Sequence, residues 1–125
     1  MAYLLDTHVV LWLLSDPGRI SVAVQATLAD PQTALFLSAV SLWEIEIKSG
    51  LGKLDAPSDL LEQLRQVRIA ELPLQFKHTR NLRALPSIHR DPFDRMLIAQ
   101  AQSADLTLVT ADPVIAQYPV RVLRV

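Results

Sequence analysis

The chain has 125 residues, which suits one domain around one core, and with half of them hydrophobic and a fifth charged it is globular rather than disordered. It contains no cysteine, which excludes a disulfide framework, thiolate zinc sites and a cysteine nucleophile. The net charge of −1 makes no bulk electrostatic case for nucleic acid, although residues 48–95 hold nine of the twelve Lys and Arg and residues 1–47 hold only Arg19 against five acids. A basic middle segment suits an anionic partner; solvated helix faces explain it equally simply. Neither a basic leader nor a long apolar segment opens the chain, and its longest apolar run, residues 9–14, is far short of the roughly 20 residues of a membrane span. The expectation is a soluble, cytoplasmic protein folded as a single domain over residues 1–125.

In chain order, residues 3–5 (YLL) read as a short apolar strand. Residues 7–15 read as a deeply packed helix ended by Asp16-Pro17-Gly18, and residues 21–28 as a second helix. Residues 35–39 form an uncharged strand of the kind buried in parallel sheets. In residues 41–49, Trp43, Ile45 and Ile47 alternate with Glu44, Glu46 and Lys48 as in a strand. The Ser41-x-x-Glu44 start signature and Gly50 as a stop favour a helix instead. Leu60, Leu61, Leu64 and Val67 have helical spacing, residues 69–72 suit a short strand, and residues 76–85 a weaker helix. Residues 91–104 carry a strong helix signal, with Asp91 as cap, Pro92 at the first position and Phe93, Leu97, Ala101 and Ala104 as a stripe. Residues 106–109 make a strand, Asp112-Pro113 opens a short helix, and residues 120–123 form a last strand. Strands alternating with crossovers of this length predict a three-layer α/β/α sandwich around a small, mostly parallel sheet.

Acids recur at one kind of place. Asp6 and Asp112 follow strands, Glu44 falls in the first turn after the 35–39 strand, and Asp94 lies in the first turn of the helix before the 106–109 strand. Ligands of open α/β sheets bind outside the carboxyl ends of the strands. Connectivity puts Asp6, Glu44 and Asp112 there; Asp94 joins them if its helix starts at the same edge. Each acid also has a capping explanation: Asp6 and Asp112 as N-caps, Glu44 as reciprocal partner of Ser41, Asp94 of Asp91. Together, converging carboxylates repel and need a cation. No Lys or Arg lies within three residues of Asp6 or Asp112, while Lys48 and Arg95 lie near the other two acids. All-oxygen ligation suits Mg²⁺ or Mn²⁺, whereas His8, His78 and His89 show no ligand spacing for zinc. A carboxylate cluster holding Mg²⁺ is one way to hydrolyse phosphodiesters; in that scheme Asp6, Glu44, Asp94 and Asp112 are the catalytic metal ligands, directly or through water, and Thr7, Ser41 and Thr110 are placed to orient them.

The stretches YLLDTHVVLWLL, SAVSLWEIEIKSGLGKL, HRDPFDRMLIAQA and LVTADP, in this order, span nearly the whole chain. Through them it resembles the PIN-domain ribonucleases, specifically the VapC-like toxins of bacterial type II toxin–antitoxin modules. The resemblance implies a PIN-like sandwich that cleaves RNA with Mg²⁺ or Mn²⁺ and is held inactive by a cognate antitoxin. It puts the acidic quartet on Asp6, Glu44, Asp94 and Asp112, leaves Asp91 as the cap, and matches Thr110 to the polar residue two before the last acid. It also implies a homodimer and an apolar antitoxin groove, for which Trp12, Trp43 and Ile47 are candidates; core packing is the alternative for both tryptophans. Lys48, Arg90 and Arg95, with Lys53, Lys77, Arg80 and Arg83, are candidates for RNA phosphate contacts. A housekeeping PIN nuclease of RNA processing is the alternative enzyme, and the short chain without an appended domain points to the toxin. A catalytically idle binding module is disfavoured by retention of all four acids. A phospho-accepting receiver is disfavoured by Thr110-Ala111-Asp112 where a lysine is wanted. A D-x-D phosphatase is disfavoured by His8 in the second position.

Overall fold

The four-residue run Ala2–Leu5 is too short to hold itself as a strand, so its stability comes from neighbours on both sides. The computed structural model describes residues 1–125. Its strands are β1 (Ala2–Leu5), β2 (Ala34–Ser38), β3 (Ile69–Leu72), β4 (Thr107–Thr110) and β5 (Val122–Arg124). Its α-helices are α1 (Thr7–Ser15), α2 (Val22–Ala29), α3 (Ala39–Gly50), α4 (Leu60–Gln66), α5 (Phe76–Asn81) and α6 (Pro92–Ala104). The strands form one sheet in the order β3-β2-β1-β4-β5, and every pairing is parallel. Leu4 lies opposite Phe36 on one side and Leu108 on the other.

Alternation along each strand divides the core between the two faces of the sheet. Tyr3 and Leu5 of β1, Leu35 and Leu37 of β2 and Val109 of β4 pack with Val9 and Val10 of α1, Val24 and Leu28 of α2, Ile45 of α3 and Leu64 of α4. Leu4, Phe36 and Leu108 face the other way, onto Leu97, Ile98 and Ala101 of α6. This is the expected α/β/α sandwich, with a fully rather than mostly parallel sheet.

The topology makes a functional edge. After β1 the chain moves one way to β2 and β3, then returns to place β4 on the other side of β1. The carboxyl ends of β1 and β4 therefore flank the point where the winding reverses, where such sheets leave a crevice. A helix that leads into a parallel strand starts at the carboxyl edge. The N-terminus of α6, just before β4, is thus brought to the same edge as Asp6.

Several boundaries differ from the sequence reading. The residue capping α3 is Ser38, whose Oγ accepts a hydrogen bond from the Val40 N–H (3.0 Å), and not Ser41. The Ser41–Glu44 capping box is therefore absent, and Glu44 sits in the second turn, free of any capping duty. The helix expected over 76–85 ends at Asn81 and continues as a 3-10 turn, Leu82–Ala84. The short helix expected at Asp112-Pro113 is a 3-10 turn at Ile115–Gln117, and the last strand is β5, shifted toward the C-terminus.

Leu4 is fully buried in the middle of the central strand. Leu4→Ala is expected to cost about 2–5 kcal/mol of stability, the usual range for a large-to-small core change, read from the midpoint of urea unfolding.

Candidate active site

Asp6 ends β1. Its backbone N–H continues the sheet pairing to the Val109 carbonyl (2.9 Å), which fixes where its side chain leaves the edge. One carboxylate oxygen accepts from the Thr7 N–H at the start of α1 (2.7 Å), and the other from the Thr110 hydroxyl at the end of β4 (2.6 Å). Thr110 Oγ1 also accepts from the Asp112 N–H (3.0 Å), so the hydroxyl ties the first acid to the turn that carries the last. Glu44 reaches the same place from α3. Its Oε1 accepts from the Thr7 hydroxyl (2.7 Å), and its other oxygen pairs with the Lys48 ammonium one turn along the helix. Asp6, Thr7, Glu44 and Thr110 are all buried.

At the start of α6, Asp91 does the capping. Its Oδ1 accepts from the N–H groups of Phe93 (2.8 Å) and Asp94 (3.3 Å). Asp94, one turn in, turns its carboxylate to the site, where its Oδ2 lies 3.0 Å from His89 Nε2. The same nitrogen lies 2.9 Å from Asp112 Oδ2, while Asp112 Oδ1 accepts from the Val114 N–H (2.8 Å). Asp6, Glu44, Asp91, Asp94, Asp112, Lys48, His8, Trp12 and Ala111 line one open cavity of about 290 Å³. All four acids expected from the sequence thus meet in one place, contributed by β1, α3, α6 and the turn after β4.

The charge in this cavity is unbalanced: five carboxylates face a single ammonium. Burial pushes the Asp6 carboxyl above its ordinary range, with the bonds from Thr110 and Thr7 pulling against it. Asp94 is pushed up to about 7, first by burial and then by repulsion from Asp6 and Asp91. The hydrogen bond to Glu44 pushes the Lys48 ammonium up as well, so it stays charged. A set of carboxylate oxygens with surplus negative charge, and no thiolate among them, is the donor chemistry of a hard divalent cation. The residues present fit one.

The geometry also revises the supporting cast. Thr7 and Thr110 donate hydrogen bonds to acids of the site, to Glu44 and Asp6 respectively. Ser41 does not: it is buried on α3 and its hydroxyl has no hydrogen-bond partner. Lys48 faces the acids but is engaged with Glu44, which weakens its case as a phosphate contact. The Arg95 guanidinium bonds the Pro86 carbonyl (2.8 Å) and Tyr118 hydroxyl (3.2 Å), away from the cavity. Arg90, Lys53, Lys77, Arg80 and Arg83 are exposed. Trp12 is half-buried beneath the Arg19 guanidinium (4.6 Å). Trp43 is 60% exposed, with its ring edge-on to Phe93, so it is no core residue. The functional candidate missed in the sequence is His89. It opens the HRDPFDR stretch, but no metal-ligand spacing marks it, and its contact to Asp112 depends on the loop before α6 folding back to the edge of β4.

The PIN domain family model matches residues 3–120. The chain belongs to the PIN domain family. PIN domains are generally nucleases, and PIN nucleases usually use divalent metals. Among solved structures, this PIN domain is similar to a chain of VapBC2 from Rickettsia felis bound to a DNA fragment from their promoter. That pair shares 17% identity over 99% of this chain and 98% of the other, with a TM-score of 0.76. It is likewise similar to DNA-bound VapBC from Salmonella typhimurium (19% identity, 99% and 98% covered, TM-score 0.70). A third is VapBC-5 from Mycobacterium tuberculosis, a member of the VapBC family of toxin–antitoxin systems (22% identity, 99% and 98% covered, TM-score 0.59). At these identities the likeness is one of fold. No curated protein matches the chain.

The raised Asp94 carboxyl has a consequence for stability. Asp94 holds its proton more tightly folded than unfolded, so its favourable contribution is complete at low pH and is lost as pH rises from about 4 through about 7. Above that, ionised Asp94 opposes folding. Asp94→Asn is therefore expected to stabilise the metal-free PIN domain at pH 8 by on the order of 2 kcal/mol, with the gain shrinking toward pH 5. Thermal melting in EDTA at the two pH values checks this; equal melting temperatures for parent and variant at pH 8 would refute it.

Proposed function

We propose that this PIN domain is a Mg²⁺- or Mn²⁺-dependent endoribonuclease, the VapC-like toxin of a type II toxin–antitoxin module, held inactive by a cognate antitoxin. The observation that carries the reading is the convergence of Asp6, Glu44, Asp94 and Asp112 from four separate elements on one cavity with one ammonium. In this reading Asp6, Asp94, Glu44 and Asp112 hold the cation directly or through water. When bound there, such an ion would supply charge neutralisation for phosphoryl oxygens and a lowered pKa for water.

The chain's own residues prepare that step. Thr110 and the Thr7 N–H fix both oxygens of Asp6, leaving further lone pairs of that carboxylate to face the cavity. Thr7 and Lys48 do the same for Glu44. The openness of the site suits a polymer backbone, which must pass by and not be enclosed. The exposed Arg90, next in sequence to the cavity-lining Asp91, is a candidate for a phosphate contact. Antitoxin binding and homodimerisation belong to the same reading. The exposed side chains of Trp43 and Ile47 on α3 are the candidate contacts for them. The VapBC neighbours support the toxin over a housekeeping nuclease.

Asp6→Asn keeps a capping side chain at the start of α1 and removes one charge. With a mixed RNA pool including structured tRNA, the purified parent is expected to cleave with Mg²⁺ or Mn²⁺ and not with EDTA. Asp6→Asn is expected to be slower by on the order of 100-fold or more, since the charge stabilisation at stake is several kcal/mol. Undiminished cleavage by folded Asp6→Asn, or cleavage in EDTA, would sink the assignment.

A further inference from the structure

His89 stands behind two of the cavity's acids, with both ring nitrogens engaged. Nε2 lies 3.0 Å from Asp94 Oδ2 and 2.9 Å from Asp112 Oδ2. Nδ1 lies 3.2 Å from the backbone nitrogen of Asp91, an N–H group that can only donate. Nδ1 is therefore the acceptor, the ring proton is on Nε2, and that N–H points between two carboxylates. The main chain beneath is held as well. The hydroxyl of buried Tyr118 accepts from the N–H groups of His89 (2.6 Å) and Ile88 (3.2 Å).

By distance alone His89 looks like a metal ligand. Its Nε2 and the two carboxylate oxygens all lie within 4.8 Å of one another. Two of the separations are near 3 Å, which is the spacing of adjacent ligands on an octahedral ion with bonds of about 2.0–2.1 Å. The proton argues the other way. A ligating Nε2 needs its lone pair free and the ring proton on Nδ1, and a proton there would collide with the Asp91 N–H. Asp91 cannot easily turn that peptide away, because the same residue caps α6 through Phe93 and Asp94.

We propose that His89 is a positioning residue: its Nε2–H holds Asp94 and Asp112 together at a separation that accepts a divalent cation, while His89 itself stays outside the cation's ligand shell. The proposal rests on the metal-site reading above. Asp112 depends on this bond most. It stands on a turn beyond the sheet, its Oδ1 is committed to Val114, and only Oδ2 turns toward the other acids. Without a donor between them, Asp94 and Asp112 repel and the turn carries Asp112 outward.

The test is calorimetric titration of Mn²⁺ into the parent, Asp6→Asn, His89→Ala and His89→Gln, each checked for folding by melting in EDTA. Pulsed EPR of the Mn²⁺-loaded parent accompanies it. Asp6→Asn is expected to lose binding, and His89→Ala to weaken it by about 10–100-fold, the usual effect of removing an outer hydrogen-bond partner. Glutamine places an amide N–H near the position of Nε2, so His89→Gln is expected to stay within about threefold of the parent. The EPR spectrum is expected to show no directly bonded nitrogen. No binding by the parent, or undiminished binding by Asp6→Asn, overturns the metal site and this proposal with it. Loss in Asp6→Asn with parent-like or tighter binding in His89→Ala overturns the positioning role alone. A directly bonded nitrogen in the parent, or a glutamine variant as weak as the alanine one, overturns the donor role.

Discussion

Repulsion among the carboxylates at the edge of the sheet is the constraint to which the surrounding structure answers. Asp6, Glu44 and Asp94 are crowded together, and burial pushes the Asp6 and Asp94 carboxyls up. Each nearby donor can be read as an answer. Thr110 and the Thr7 N–H stabilise Asp6, the Thr7 hydroxyl and Lys48 stabilise Glu44, and His89 spans Asp94 and Asp112. These donors come from β1–α1, β4, α3 and the loop before α6. The hydrogen bonds that make the acids tolerable are therefore also tie-points between elements distant in sequence.

Holding such a cluster requires a rigid platform, and the sheet supplies it. The central strand carries Leu4 and Leu5, one buried on each face, and it is paired on both sides before it reaches Asp6. Two cores grip it, one through α1, α2, α3 and α4 and the other through α6. A parallel sheet with helices on both faces has all its strands ending at one edge, so acids placed just past strands are collected without any special loop. The sandwich and the acidic pocket are in this sense one design: the connectivity that buries the strands also assembles the charges.

Much of this was legible in the residues. The alternation of apolar strands with amphipathic helices, the Asp91-Pro92 start of α6 and the recurrence of acids after strands all reflect local rules of pattern and capping. The Glu44–Lys48 pair was legible for the same reason, being one helical turn apart. What was not legible depended on tertiary choice. Ser38 and Ser41 are equally good caps in isolation; the end of pairing between β2 and β3 decides for Ser38. Trp43 follows the same apolar signal as Ile45, yet one is exposed and the other buried, because helix rotation against α1 and α6 is set by packing. His89 has no spacing to betray it, since its partners are brought to it by a loop and by a strand that follows it in sequence.

The first turn of α6 separates the structural explanation of the acids from the functional one. A helix start needs one acceptor for its free N–H groups, and Asp91 provides it with two hydrogen bonds. Asp94 is then surplus to the cap. Its carboxylate turns into a cavity that already holds other acids, and its carboxyl is pushed to about 7. The helix dipole offers such a group some stabilisation, ~0.3–1 kcal/mol, but each unit of upward shift opposes that with about 1.4 kcal/mol once the group ionises. Folding alone would be better served by asparagine or serine at this position. A carboxylate kept where it opposes folding, aimed at three others, is what the proposed divalent cation would account for.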